Sequence, residues 1–220
     1  MNMVFSRQLT EKEIDILLNM QAFVKEAHAE SDSHDYSHVF TVCLYTIEIA
    51  KNIPEPVDPF VCIAGALMHD IGKTTTLFSN IHGLFGGTLA EEYLDGVRVE
   101  ESLRDAICRV VIRHTPTSMI PPATAEERAV YDADTLDRLG LMGLLRGFIG
   151  KSGSMEHILT KYMEKRKTDF DKLHFEFSKQ LGDDLHQELL DFLIIFQKRL
   201  DQRMANIEDI FEREGLIEKQ

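Results

Sequence analysis

"DPFVCIAGALMHDIGK", residues 58–73, decides how this chain is read. Asp58 followed by a proline is a helix start. The aspartate side chain can accept from the first free N–H groups, and proline in the first turn has no N–H to leave unpaired. From Phe60 to Met68 every residue is apolar or small, a run that suits burial on all sides. Its periodicity alone does not separate a buried helix from a buried strand. Ala64, Gly65 and Ala66, the Asp-Pro start and a terminating Gly72 decide for a central helix over 60–71. That helix ends in His69 and Asp70. An ionised carboxylate in an apolar interior costs several kcal/mol unless it is paired or bound to metal, so this buried end calls for a partner.

The segments on either side are helical too. Thr10-x-x-Glu13 is a capping box ahead of Ile14, Leu17 and Leu18, and Thr124-x-x-Glu127 is a second one ahead of a helix through Ala129, Val130, Asp134 and Leu139. Asp32 and Ser33 can cap a helix through His38, Val42, Tyr45 and Ile49. Helices are expected over 82–94 and 101–114, separated from their neighbours by "GKTTTLFSNIHG" and "TPTSMIPPAT". A glycine-bearing stretch, 140–153, leads to two more, the last beginning near Asp184 with Leu185, Leu189, Phe192, Phe196 and Leu200 at spacings of three and four. No segment alternates as a strand does. The fold expected is all-α, with residues 1–155 as the main domain and 156–220 as a helical extension packed on it.

Composition narrows the function. The 220 residues carry a net charge of −13, which argues against a nucleic-acid surface, since that normally needs a basic patch. The same field repels a small anionic substrate, so a phosphate-handling site would need a strong local positive charge. A divalent metal supplies one. No apolar stretch reaches the roughly 18 residues of a membrane span, and the N-terminus lacks the layout of a signal peptide. Cys43, Cys62 and Cys108 are far apart among apolar neighbours, and read as buried free thiols in a reducing cytoplasm.

Nine histidines are present. His28, His157, His174 and His186 fall in charged, weakly patterned stretches and read as surface residues. The others fall differently. His34 and His38 are four apart and share a helix face. His69 ends the central helix beside Asp70, His82 opens a helix, His114 closes one on its apolar stripe, and Asp134 lies inside an apolar helical pattern. Imidazoles and carboxylates gathered at helix ends, with few arginines nearby, suit a divalent cation.

His38, then His69-Asp70, then Asp134 resembles the H…HD…D signature of the HD superfamily of metal-dependent phosphohydrolases, an all-α fold. "HDYSH" with Val42 is similar to the HDxxHxxRV stretch of its bacterial nucleotide-pyrophosphatase branch, with Thr41 in place of the arginine. "YDADTLDRLGLMGLLRGF" (131–148) is similar to DADRLDAIGAIGIAR, and "HGLFGGTLAEEYL" (82–94) to the HxxxGAxxAxxxL element of HDIG-type members. The resemblance covers about residues 20–150 and continues loosely to about 200. It implies His38, His69, Asp70 and Asp134 as ligands of a first divalent ion, and Asp70, His82 and His114 as ligands of a second, with Asp70 bridging. Alternatively His82 and His114 line a one-metal site and bind phosphate directly. One or two ions are therefore expected; manganese, iron, zinc, nickel and magnesium are not told apart by these ligands. Lys73, in HDIGK, is implied as a phosphate or nucleophile contact and Arg146 as a phosphate clamp. Asp137 would orient a ligand or protonate the leaving group, and His34 is a ligand or substrate contact.

The activity so implied is hydrolysis of a phosphate ester or anhydride, a nucleotide above all, by metal-activated hydroxide. Two other classes share these ligands: a di-iron oxygenase of the same fold, and a metal-bound nucleotide sensor without catalysis. "KYMEKRK" (161–167) reads as a solvated basic face or, less simply, a lid over substrate phosphate. The outer end of the last helix, with Ile207, Ile210 and Phe211, could face a second copy in a homodimer.

Overall fold

The computed structural model describes residues 5–31, 35–74, 81–116, 119–149, 151–203 and 207–217. Helices follow one another as α1 (Glu11–Ala27), α2 (Tyr36–Asn52), α3 (Pro59–Met68), α4 (His82–Gly96), α5 (Glu101–Arg113), α6 (Ala125–Asp137), α7 (Gly140–Phe148), α8 (Met155–Ile158), α9 (Glu176–Asp201) and α10 (Ile207–Arg213). No strand occurs among the described residues, and none of the helices is long and apolar enough to cross a membrane.

The caps do what their chemistry predicts. Thr10 and Thr124 both form complete capping boxes with Glu13 and Glu127. Asp58 accepts from the N–H groups of Phe60 and Val61 at 2.9 and 3.2 Å. The cap of α2 is Asp35, which accepts from His38 N–H at 3.1 Å; the expected caps, Asp32 and Ser33, lie outside the described residues. All of α3 except Ile63 is buried, packed among α1, α2, α5 and α6. Its neighbours supply the core: Met20 and Val24 from α1, Val39 and Val42 from α2, Val110 and Val111 from α5, Val130 and Ala133 from α6. A second apolar cluster joins Leu144 of α7, Ile158 of α8, and Leu159 and Met163 just beyond it to Leu189, Leu193 and Leu200 of α9.

Several expectations are corrected. The central helix stops at Met68, and Gly72 lies in a separate tight turn, Ile71–Thr74. Gly72 is there for space, not as a helix terminator. A Cβ on it would stand 2.1 Å from the carbonyl oxygen of His82 and 2.8 Å from the Gly86 nitrogen. Only glycine lets the first turn of α4 press against the segment that carries Asp70. Helix α9 begins at Glu176, eight residues before Asp184. A Cβ on Gly182 would meet Leu136 Cδ2 at 2.9 Å, so this glycine admits a close crossing of α9 with α6. The glycine-bearing stretch after Gly140 is itself helical, as α7. Finally, His28 is not a surface residue: it is 1% exposed at the end of α1. His174 bonds to a buried aspartate, and His186 stacks on Phe170.

Candidate metal centre

Six side chains converge from five helices. His38 comes from the first turn of α2 and Asp134 from the last turn of α6. His69 and Asp70 follow α3 directly, His82 opens α4, and His114 follows α5. All six are buried, the most open being Asp134 at 6%. They form two groups: His38, His69 and Asp134, and Asp70, His82 and His114, with the ligand atoms of each group within 4.8 Å of one another. Asp70 joins the groups. Its Oδ2 is 3.3 Å from His38 Nε2 and 3.5 Å from His69 Nε2. Its Oδ1 is 3.3 Å from His114 Nε2 and 3.5 Å from His82 Nε2. One carboxylate therefore turns an oxygen to each group.

The hydrogen bonds behind the rings test whether a metal suits these residues. His69 Nδ1 faces Ala66 O at 2.7 Å, and His114 Nδ1 faces Val111 O at 2.6 Å. A carbonyl oxygen only accepts, so both Nδ1 atoms carry the hydrogen and both Nε2 atoms present a lone pair. His38 Nδ1 meets Asp137 Oδ2 at 2.7 Å, which gives the same result. Yet His38 Nε2 and His69 Nε2 stand 3.1 Å apart, where two lone pairs repel unless a cation lies between them. Protonation differs among the rings. Burial opposes charging His38, but Asp137, Asp70 and Asp134 together hold it above the usual histidine range. Burial holds His69 down, and burial with the nearby Lys73 pushes His82 down to about 3. Burial works against the Asp134 carboxylate too, but Arg138, His38 and His69 keep it well below the usual range. Imidazoles and ionised carboxylates with their donor atoms aimed at common points are a donor set for a first-row divalent ion, and ligating histidines held through Nδ1 are its usual support. The residues fit.

Around this set the remaining predicted residues take specific positions. Lys73 Nζ is 3.1 Å from Asp70 Oδ2. Asp137 sits behind His38 and also pairs with Arg146, the position of a group that orients a ligand. His34 lies outside the described residues. A cavity of about 80 Å³ opens against the centre, and its walls carry Lys73, Arg138, Arg146, Lys151 and Arg166 with Asp134 as the acidic residue among them. Five cations lining one small cavity is a sharp local reversal in a chain of net charge −13.

Three of those cations escaped the sequence reading. Arg138 had a signal: it follows Asp134 by four residues on α6, so both share a face, and it pairs with Asp134 at 3.3 Å. It also donates to Thr135 Oγ1 at 2.9 Å, Thr135 standing where the family segment quoted above has its arginine. Lys151 and Arg166 had none, because what brings them to the site is the long-range path of the chain after α7. Arg166 corrects the expectation of a solvated face over 161–167. Its guanidinium turns inward and donates to the backbone oxygens of Arg138, at 3.0 Å, and Gly143. Burial, with Arg138 nearby, lowers its pKa to about 10.

Known proteins match this arrangement. The HD domain model matches residues 35–139. The chain is 25% identical over 178 residues to the protein YpgQ of Bacillus subtilis, covering 77% of this chain and 85% of that protein. It is 30% identical over 167 residues to a tRNA (cytidine(56)-2′-O)-methyltransferase of Picrophilus torridus, a match that covers 67% of this chain but 42% of the longer protein. In three dimensions it is similar to the crystal structure of Bacillus subtilis YpgQ in complex with ADP, with a TM-score of 0.66 at 20% identity over 90% of this chain and 99% of that one. An HD-superfamily hydrolase from Bacillus thuringiensis gives a TM-score of 0.63 at 20% identity, over 86% of this chain and 98% of that one. Such structural likenesses carry the fold. The matching domain identifies residues 35–139 as an HD domain.

Proposed function

We propose that the protein hydrolyses a phosphate ester or anhydride of a nucleotide, using two divalent ions that share Asp70. The observation that carries this reading is the juxtaposition of two opposite chemistries. Six buried metal-type donors come together, and one of them, Asp134, lines a small cavity with five cationic side chains. The crystal structure of YpgQ with ADP supports the nucleotide as ligand class.

Divalent ions in these groups would acidify a water molecule and polarise a phosphoryl oxygen. The chain's own residues do the rest. His38, His69, Asp70 and Asp134 would hold one ion, and Asp70, His82 and His114 a second. Asp137 fixes the His38 ring through Nδ1 and keeps Nε2 available. Lys73, beside Asp70 and on the cavity wall, holds a phosphoryl oxygen next to the reacting centre. Arg138, Arg146, Lys151 and Arg166 neutralise the remaining phosphate oxygens, with arginine suited to paired contacts with phosphate. The acidic surface then ceases to be an obstacle, since the attraction is local.

The test is a hydrolysis panel on manganese-loaded protein, with nucleoside mono-, di- and triphosphates and an artificial phosphodiester, counting orthophosphate and pyrophosphate separately. Turnover should disappear with chelator and with Asp70→Ala, and the bound metal of that variant, counted by mass spectrometry, should fall. A panel with no turnover while metal is verifiably bound overturns the reading.

A further inference from the structure

We propose that the nucleoside part of the substrate is held in a second cavity, between the segment after α5 and the start of α9, with His174 and Lys172 as its polar contacts. This rests on the nucleotide reading above. The cavity has a volume of about 410 Å³ and is walled by Pro116, Pro121, Pro122, Tyr131, Lys172 and His174. Apolar walls with a few fixed polar groups, at this size, are what a small-molecule site requires. Thr115 lines both this cavity and the cationic one. It follows His114, so both spaces lie against the residue next to a metal-type donor. A ligand with phosphates in the first can extend into the second. The cleft of about 280 Å³ on the other side of the site meets it through His38, Asp137 and Arg146, behind the His38 ring.

His174 is held in a way that chain tethering does not require. Asp132 is fully buried and accepts from the backbone N–H groups of His174 and Phe175, at 2.9 and 3.0 Å. Those two bonds already fasten the chain to α6. A third bond, from His174 Nδ1 to Asp132 at 2.7 Å, orients only the ring. It leaves Nε2 as the ring nitrogen not engaged by Asp132, on a side chain that is still 29% exposed. Tyr131 packs edge-on against that ring, with centroids 4.9 Å apart, and limits its rotation. The other polar contact is linked to the centre through charge. Lys172 pairs with Asp169 at 2.6 Å, Asp169 faces Arg138 at 3.6 Å, and Arg138 pairs with Asp134. An oriented ring nitrogen, an ammonium and a flat apolar wall together match a nucleobase, which offers polar edges and apolar faces.

The test compares binding of the α,β-methylene analogue of ADP with binding of methylenediphosphonate, which has the same bridged phosphorus groups and no nucleoside. Calorimetry on manganese-loaded protein gives the ratio of the two affinities. We expect wild type to favour the nucleoside-bearing ligand, and His174→Ala to reduce that ratio about ten-fold. Lys172→Ala should reduce it by a smaller factor. His174→Phe keeps a ring in the wall and decides the matter if His174→Ala does not fold; it should still reduce the ratio, through loss of the ring nitrogen. A wild-type ratio in these variants overturns the inference and leaves the nucleotide reading intact. A wild-type protein that binds both ligands equally overturns both.

Discussion

The two walls of this site are built differently. The ligand wall, from His38 to Asp134, consists of histidines and aspartates at or near the ends of helices that pack directly on α3 or on its neighbours. Its atoms are buried, and its rings are pinned from behind by Ala66, Val111 and Asp137. The cationic wall, from Arg138 to Arg166, consists of long side chains at the end of α6, on α7 and in the irregular chain around α8, attached partly by contacts to backbone oxygens. One wall is part of the core, and the other is laid over it. The first is a place where any small shift costs packing energy, since close-packed interiors do not deform continuously. The second can change its residues at lower cost. On the reading proposed above the first wall holds metal and the second substrate, and the two touch where Arg138 meets Asp134 and Lys73 meets Asp70.

The largest effect should come from breaking the ligand wall by packing alone. Gly72→Ala forces a Cβ into the His82 carbonyl and the Gly86 nitrogen, backbone atoms that cannot turn aside. We expect a loss of about 3 kcal/mol in unfolding free energy, measured by urea titration, and a fall in bound metal as the His82 group moves away. Unchanged stability with unchanged metal content would show that this wall is more pliant than its packing implies. A cut in the cationic wall should behave differently. Arg166→Ala removes charge-assisted contacts to substrate, and KM should rise about ten-fold while metal content stays at the wild-type level. A loss of metal in that variant would mean that the two walls are not separable.

The smallest effect lies outside both walls and serves as their reference. Arg7 bridges Glu13 and Asp58, tying the start of α1 to the cap of α3. Its hydrogen bond to Glu13 is the main cause that lowers that carboxyl to about 2, against burial. A depressed carboxyl stabilises the fold above its unfolded value of about 4.5, and the contribution is lost as pH falls through about 2. Stability should therefore decline over that acid window, and Arg7→Ala should flatten the decline. Solvent screening keeps the contribution to about 1 kcal/mol or less. Metal content at neutral pH should not change, which separates this support from the site itself.

The legibility of the chain follows the same division. His38, His69, Asp70, His82, His114 and Asp134 could be found because each sits at a fixed place on a helix whose start or apolar stripe is written in nearby residues. Local hydrogen bonds and helical periodicity act over a few residues, so Thr10, Asp58 and Thr124 announce their helices directly. Arg138 was within reach by the same reasoning, one turn after Asp134. Gly72 was misread because a glycine that ends a helix and one that admits a neighbour look alike until the neighbour is known.

By itself, then, the sequence determined the all-α class, the main helix caps and the set of donors that a metal would take. The tertiary structure alone decided that Asp70 divides its oxygens between two groups, that Arg166 turns inward, and that Thr115 lines two cavities. The reason is physical. Caps and stripes are short-range properties of a chain, whereas the facing of Asp132 and His174, 42 residues apart, depends on how α6 and the start of α9 pack, and no local pattern records that approach.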